Sequence, residues 1–385
     1  MTMPPENAIP DLPALLKFAI AQGISDIHLK PGRPPVFRRG AAVDLVGPRG
    51  MQVLSEADIL GLLQGVLDDR ARGRLSEAEE VDLGWGERGL GRFRINLFRG
   101  RDGLQAVLRV IPAYIPTLQE LGLPRVLEAI AKERRGLVLV TGAAGQGKTT
   151  TLAALADLIN RQRACHIITI EDPIEYVIED RRSIVTQRQV GTDTRSFRDG
   201  LRAALRQDPD VIIVGEMRDR ETIHTALTAA ETGHLVLSTL HTTDARETVN
   251  RVMAAFESSE REYARVLMAS ALQAVVSQRL IPRADGKGRV PAVEVMIATA
   301  RIRDLLKDPD GADQIPEAIA KGHSQYGMQT FDQSLMALYQ EHRIRYEEAL
   351  SHCSNPSDFA LRMKGISSQS GFEAIDDDHG HTNLR

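Results

Sequence analysis

Residues 142–150 of this 385-residue chain have the types and spacing of a phosphate-binding loop. They read GAAGQGKTT, follow an apolar run at 137–140, and precede a helical pattern at 150–160. In the pattern G-x-x-x-x-G-K-[ST], backbone N–H groups surround phosphate oxygens, the lysine pairs with the β and γ phosphates, and the hydroxyl ligates Mg²⁺. The alternative is a glycine-rich turn without a ligand. The context favours an ATP or GTP site formed by Gly142, Ala143, Ala144, Gly145, Gln146, Gly147, Lys148, Thr149 and Thr150.

Polar residues follow three further predicted strands. Glu175 lies shortly after the strand 166–170, Glu216 follows 211–214, and His241 follows 235–240. Nucleotide hydrolysis needs groups that hold Mg²⁺ and orient a water, and carboxylates suit both tasks. We therefore expect Glu216 to orient the water, and Glu175 and Glu216 to join Thr149 around Mg²⁺. The alternative is that these carboxylates only cap the helices that follow.

Two histidines lie seven residues apart, at His234 and His241. A zinc pair is disfavoured because odd spacing along an intervening strand sends the rings to opposite faces, and no cysteine is near. A sensor role at the γ-phosphate is the better hypothesis for His241.

Residues 91–98 and 105–111 alternate in character around an Arg-Asp-Gly turn, which predicts a β-hairpin rich in arginine. Arg94 and Arg109 lie on its two strands. A solvated face is the alternative. An arginine that reaches a nucleotide would instead stabilise charge in the transition state.

The elements that must position these residues form an alternating strand and helix pattern. Continuous apolar strands predict an α/β fold with a parallel sheet covered on both faces, whose ligands bind at the carboxyl ends of the strands. Before it, we expect a helix at 12–20, a strand at 26–30 and a helix at 59–72 behind a capping box at Ser55 and Asp58. From residue 260 the pattern is mostly helical, with one strand within 286–297.

These patterns predict five regions along the chain. They are an N-terminal α+β domain at 1–112, a linker at 113–122, the ATPase core at 123–300, a helical region at 301–364 and a disordered tail at 365–385.

Composition excludes several classes of protein. The net charge of −4 and pI near 6.2 do not favour nucleic acid as the partner. Two distant cysteines argue against a disulfide framework or a cysteine zinc module. No signal peptide or spanning apolar stretch is evident, so we expect a cytoplasmic protein without membrane insertion.

Four segments together resemble one family. GAAGQGKTTTLAAL, IITIEDPIEY, LRQDPDVIIVGEMRDRET and TAAETGHLVLSTLHTTDA are similar to the secretion-ATPase superfamily, and within it to the pilus retraction motors of the PilT/PilU type. The similarity extends from SDIHLKPGRPPVFRRG to GMQTFDQSLMALY, over about residues 12–365. The resemblance implies an N-terminal PAS-like domain joined to a RecA-like P-loop ATPase domain with a C-terminal helical segment.

The resemblance also implies roles for individual residues. Lys148 and Thr149 match the phosphate-loop pair, Glu175 the glutamate of the aspartate-rich box, and Glu216 the catalytic glutamate of an atypical Walker B motif in which Gly215 replaces aspartate. The remaining matches are His234 and His241, the two histidines of the His box, and Arg94 and Arg109, the arginines that reach the nucleotide from the N-terminal domain.

For the whole protein, the resemblance implies a homo-hexameric ring that couples ATP hydrolysis with Mg²⁺ to type IV pilus retraction and twitching motility. The ring would lie at the cytoplasmic face of the inner membrane and dock on the pilus platform protein there. A paralogous retraction ATPase is a further expected partner. Extension and type II secretion ATPases usually carry a four-cysteine zinc module, which two cysteines exclude here.

Two of the motifs depart from the family pattern. Ala143 and Gln146 stand where the phosphate loop usually carries proline and serine. The retraction motif AIRNLIRE corresponds to residues 301–308, where Arg301 replaces alanine and Asp304 replaces asparagine.

Two other functions compete with an active motor. An accessory subunit would bind ATP, turn over little and dock on an active paralogue, but Lys148, Glu175 and Glu216 are all present, which favours an enzyme. A nucleic-acid translocase is disfavoured by the acidic balance of charge.

Overall fold

The structure, a computed structural model, describes residues 11–39, 45–46, 51–76, 80–87, 90–111 and 114–363. The strands are β1 Asp26–Leu29, β2 Val36–Arg38, β3 Leu45–Val46, β4 Val81–Glu87, β5 Gly91–Gly100, β6 Gly103–Ile111, β7 Gly136–Thr141, β8 His166–Glu171, β9 Ile184–Gln189, β10 Val211–Val214, β11 Leu235–Leu240, β12 Leu272–Pro282 and β13 Arg289–Ile297.

The helices alternate with these strands, and a 3₁₀ turn spans Gly311–Gln314. They are α1 Leu12–Ala21, α2 Glu56–Leu63, α3 Asp69–Ser76, α4 Val126–Ile130, α5 Lys148–Gln162, α6 Phe197–Ala204, α7 Arg220–Glu231, α8 Ala245–Ala254, α9 Arg261–Ala271, α10 Ala300–Lys307, α11 Ile315–Lys321, α12 His323–Tyr326, α13 Phe331–Gln340, α14 Tyr346–His352 and α15 Pro356–Met363.

The chain divides into two compact units, each of which combines two stretches of sequence. One contains Met1–Thr117 and Leu152–Glu216, and the other contains Leu118–Thr151 and Met217–Arg385.

The first unit contains a six-stranded antiparallel sheet in the order β3-β2-β1-β6-β5-β4. Along β5, Phe93, Ile95 and Leu97 are buried while the residues between them are not, because successive side chains of a strand point to opposite faces. The buried face packs with residues of α1 and α2 in one core. The opposite face carries the arginines of the predicted hairpin, which is confirmed as β5 and β6.

The same unit contains three parallel strands in the order β10-β8-β9. All four residues of β10 are buried, and so are the inner residues of β8. Such continuous burial is expected where helices cover both faces of parallel strands.

The second unit contains four strands in the order β13-β12-β7-β11. Strand β7 pairs in parallel with β11 on one side and with β12 on the other, whereas β13 joins β12 antiparallel. Every residue of β7 is buried. The predicted α/β fold with an N-terminal α+β region is therefore confirmed.

Two predictions about elements were wrong. The helix expected at 59–72 is two helices, because the chain leaves α2 after Leu63 and Asp68 caps α3 by accepting a bond from Ala71 N at 2.7 Å. The stretch after residue 260 contains two strands, since β12 begins directly after α9. The predicted tail at 365–385 lies outside the described residues.

The capping box at Ser55 and Asp58 is confirmed at the start of α2. Among the described residues, none of the helices has the length and apolar character needed to span a membrane.

Candidate active site

The phosphate loop joins the carboxyl end of β7 to the first turn of α5. Gly142 has a φ of +145°, and a Cβ there would lie 2.6 Å from the carbonyl oxygen of Gln278, so only glycine fits. Lys148 is buried, and its Nζ donates to the carbonyl oxygens of Gly142 at 2.8 Å and Ala143 at 2.9 Å. The loop therefore wraps around its own lysine at the start of a helix.

This geometry fits the phosphates of a nucleotide. The N-terminus of α5 has the positive end of the helix dipole, and backbone N–H groups at such an end attract an anion. Lys148 would supply the point charge, and the Thr149 hydroxyl would ligate a Mg²⁺ that arrives with the nucleotide. Within the described residues, no group of three or more His, Cys, Asp or Glu side chains could hold a metal ion without it.

Strand β12 forms a wall beside the loop, and sequence reasoning missed it. Thr141 Oγ1 donates to Ser277 Oγ at 2.8 Å, and the backbone N–H of Leu280 donates to Gln146 Oε1 at 2.6 Å. Gln146 is one of the departures from the family pattern. The side-chain amide of Gln146 therefore links the loop to β12. Sequence analysis did not indicate this bond, because only the backbone of residue 146 was expected to contribute.

The structure places His241 at the phosphate loop. β11 and β7 run parallel with Leu240 opposite Thr141, so the residue after each strand lies at the same edge. His241 Nδ1 is 3.5 Å from Lys148 Nζ. The His241 imidazole is therefore close enough to Lys148 to interact with a phosphate that binds to this lysine.

His234, predicted as the first histidine of the His box and as a nucleotide-binding residue, lies at the other end of the same strand and away from this loop, so that role stays a prediction. Leu235 pairs with Gly136, at the start of β7, whereas the loop follows Thr141. Strand rise over this length separates the two ends by roughly 17–20 Å. The His234 ring instead lies with Nδ1 2.9 Å from the carbonyl oxygen of Ala229, at the end of α7.

Glu216 follows the carboxyl end of β10. Gly215 N donates to the carbonyl oxygen of Ile170 at 2.8 Å, which fixes the backbone just before Glu216. A Cβ at Gly215 would lie 3.2 Å from the ring of Phe197 and 3.3 Å from Ile170 O. A side chain at this position would require Phe197 or the backbone of β8 to shift by a few tenths of an ångström, which favours glycine.

Glu175 belongs to an acidic segment after β8. Glu171 in this segment is half-buried and accepts bonds from Thr169 Oγ1 at 2.6 Å and Gln187 Nε2 at 3.0 Å. Burial raises the pKa of the Glu171 carboxyl, and the neighbouring charge of Glu175 adds to the shift. The carboxylate of Glu171 is therefore engaged within this segment, and the role of Glu175 as a ligand stays a prediction.

The two hairpin arginines lie side by side, and each is held by an aspartate. Arg94 pairs with Asp82 through Nε at 3.0 Å and Nη2 at 2.6 Å, and Arg109 Nε donates to Asp26 Oδ1 at 2.8 Å. Asp82 raises the pKa of Arg94, with smaller contributions from Glu175 and Asp172. The structure therefore brings Arg94 into the electrostatic range of the acidic segment.

Comparison with known proteins shows the family to which the chain belongs. The family model for type II/IV secretion system proteins matches residues 7–366. The type IV pilus retraction ATPase PilT of Pseudomonas aeruginosa is 44% identical over 349 residues, which cover 91% of this chain and 100% of that protein. The type IV pilus ATPase PilU of the same organism is 40% identical and covers 91% and 90%. A crystal structure of the pilus retraction motor PilT with bound ADP aligns with a TM-score of 0.82 at 43% identity, over 91% of this chain and 98% of that one.

Proposed function

We propose that this chain, which belongs to the family of type II/IV secretion system proteins, hydrolyses ATP to drive the retraction of a type IV pilus. The observation that carries the proposal is the phosphate loop. Lys148 is buried at the start of α5, and its Nζ lies 3.5 Å from Nδ1 of His241. Similarity to a retraction ATPase along nearly the whole chain supports the direction of the motor.

In the proposed reaction, the loop backbone and Lys148 hold the β and γ phosphates, and Thr149 would ligate the Mg²⁺ that accompanies the nucleotide and offsets its charge. Glu216 orients the attacking water, and Glu175 contributes a carboxylate to the metal's surroundings. His241 responds to loss of the γ-phosphate. Arg94 and Arg109 stabilise the charge that develops on the transferred group, which is worth roughly 10³ to 10⁵ in rate for arginines of this kind in other NTPases.

The proposed motor is a homo-hexamer at the cytoplasmic face of the inner membrane, where the pilus platform protein would be its docking partner. Helix α10, whose sequence corresponds to the family's retraction motif, packs against its neighbour α9. Ile302, Leu305 and Leu306 are buried, and Arg303 donates to the carbonyl oxygens of Ala269 and Ser270 at the end of α9. A cation at a helix C-terminus is favourable.

Two of the departures lie on this helix. Arg301 is exposed and donates to Gln314 Oε1 at 2.7 Å. This hydrogen bond links the exposed face of α10 to the 3₁₀ turn and does not involve the buried residues of the helix. The apolar residues of the motif keep their places in the core, which supports retention of its function.

A second candidate is an accessory subunit that binds ATP and acts through an active paralogue. The 40% identity to PilU favours it. The two functions differ in turnover by the purified chain alone.

The test is steady-state ATP turnover by purified wild type and by Glu216→Gln across a concentration series, with molar mass measured by light scattering. An autonomous motor would turn over ATP when a six-subunit species forms, and the variant would bind ATP without turnover. A well-formed ring that binds ATP and does not hydrolyse it would establish the accessory function. A variant with the wild-type rate would remove Glu216 from the mechanism. Deletion of the gene should then abolish twitching if retraction is the task.

A further inference from the structure

Glu294 is a buried carboxyl to which the proposed mechanism assigns no task. It lies in the middle of β13, with 7% of its surface exposed, and its strand partner on β12 is Ser277. Ser277 in turn accepts a bond from Thr141, the residue that precedes the phosphate loop. Glu294 is thus two side chains away from the start of that loop.

The carboxyl holds the first residue of α8. Ala245 N donates to Glu294 Oε1 at 2.8 Å, and Ala245 comes four residues after His241. The intervening turn has its own bonds, since Thr242 Oγ1 lies 2.7 Å from Thr248 Oγ1 and Asp244 caps α8. The hydrogen bond from Ala245 N to Glu294 links this turn to β13, in the sheet that also contains β7.

The charged groups around Glu294 come from three elements. Burial raises its pKa to about 7, the bond from Ala245 lowers it, Asp244 at the start of α8 raises it, Arg279 on β12 lowers it and Asp332 on α13 raises it. An ionised carboxyl accepts a stronger hydrogen bond than a neutral one, and it is also favoured at a helix N-terminus.

We propose that Glu294 is a positioning residue for ATP hydrolysis, which acts through the first turn of α8 to hold His241 beside Lys148. This inference rests on the proposed function and extends it, because none of the motifs described above contains Glu294. The ionised carboxyl holds the turn most firmly. Turnover therefore rises as the pH increases through about 7, whereas the affinity for ATP, set by the loop and Lys148, changes little.

The test compares wild type with Glu294→Gln and Glu294→Asp between pH 6 and pH 9. Glutamine keeps the shape and an acceptor but does not ionise, and aspartate ionises but is one methylene too short to reach Ala245 N. Three quantities are measured: kcat, the Kd for ATP, and the hydrogen-exchange rate of the Ala245 amide at matched pH. Glu317→Gln is the control, because Glu317 is an exposed carboxylate that pairs with Lys321 on its own helix.

We expect kcat of both Glu294 variants to fall at least about fivefold below wild type at pH 8, which is the scale of the difference between a charged and a neutral hydrogen bond. Near pH 6 the glutamine variant should approach wild type, with Kd unchanged throughout and faster exchange at Ala245. Identical pH profiles of wild type and Glu294→Gln would overturn the inference, as would equal losses of kcat and ATP affinity at every pH. A wild type that turns over no ATP would instead refute the proposed function itself.

Discussion

Arg94 and Arg109 are direct cross-strand partners in the β5–β6 hairpin, yet each is paired with a different aspartate. Asp82 holds Arg94 from β4, and Asp26 holds Arg109 from β1. Two like charges opposite each other on a sheet repel. The flanking carboxylates offset that repulsion and fix the direction of both guanidinium groups.

Arg109→Ala should lower turnover at least about tenfold while the Kd for ATP stays nearly constant, because its proposed contact forms in the transition state. Asp26 is buried, so Asp26→Asn should reproduce part of this loss by releasing the arginine. In the double variant the Asp26 change should add nothing further. Additive losses would mean that Asp26 serves only the stability of the sheet. The matched control is Arg99→Ala. Arg99 is on the same hairpin, and its exposed ion pair is with Glu56 at the start of α2.

Lys148→Ala should abolish nucleotide binding. The Nζ group of Lys148 is the cation that the phosphate loop encloses, and its removal also leaves the carbonyl oxygens of Gly142 and Ala143 without this donor. Binding of a fluorescent ATP analogue measures the effect, and Lys321→Ala, a change at an exposed lysine, serves as the control. Wild-type affinity in Lys148→Ala would place the nucleotide elsewhere.

Gln146→Ser restores the residue usual in the family and should make the protein less stable. The serine hydroxyl is too short to accept from Leu280 N, so the loop loses its tie to β12. One hydrogen bond of this kind contributes about 1 kcal/mol to the free energy of unfolding. Denaturant unfolding without nucleotide measures the change, beside Gln119→Ser at an exposed position. Equal stability of the two variants would show that the bond to β12 contributes nothing.

The buried carboxyl of Glu294 should make stability depend on pH. Its pKa is raised to about 7 in the folded protein, so the folded state binds a proton that the unfolded state has released. The stabilisation is complete below the ordinary carboxyl pKa and is lost as the pH rises through about 7. The loss amounts to about 3 kcal/mol at most. Urea unfolding from pH 5 to pH 8 should show it in wild type but not in Glu294→Gln, and parallel curves would contradict the assignment.

The phosphate loop, the hairpin and the ends of the parallel strands follow from local patterns, which is why sequence reasoning found them. Lys148 and His241 meet because parallel strands align their carboxyl ends, a rule that needs no side-chain detail. The sequence also carried a signal for the break before α3, since Asp68 caps that helix, but the apolar spacing continued across it.

Other contacts depend on pairings that sequence does not reveal. Strand β12 begins at Leu272, directly after the last residue of α9, Ala271. Because no turn residue separates the two elements, the sequence pattern predicts a continuing helix there. Because β12 was not predicted, the sequence did not indicate the bond between Gln146 and Leu280 or the pairing of Glu294 with Ser277. The predicted strand at 235–240 already placed His234 before it and His241 after it, so their separation follows from the sequence, whereas the role of His234 stays a prediction.

Strand β12 faces two structures at once. The side chain of Leu280 lies 3.8 Å from the Cβ position of Gly147, whereas the neighbouring Arg279 lies over the ring of Phe331 at 3.8 Å and donates to His352 O at 2.7 Å. A single inserted or deleted residue within Ser277 to Leu280 would exchange the two faces of the strand. Homologues should therefore vary in length at the turn between β12 and β13, around Gly286, and keep the length of β12 constant.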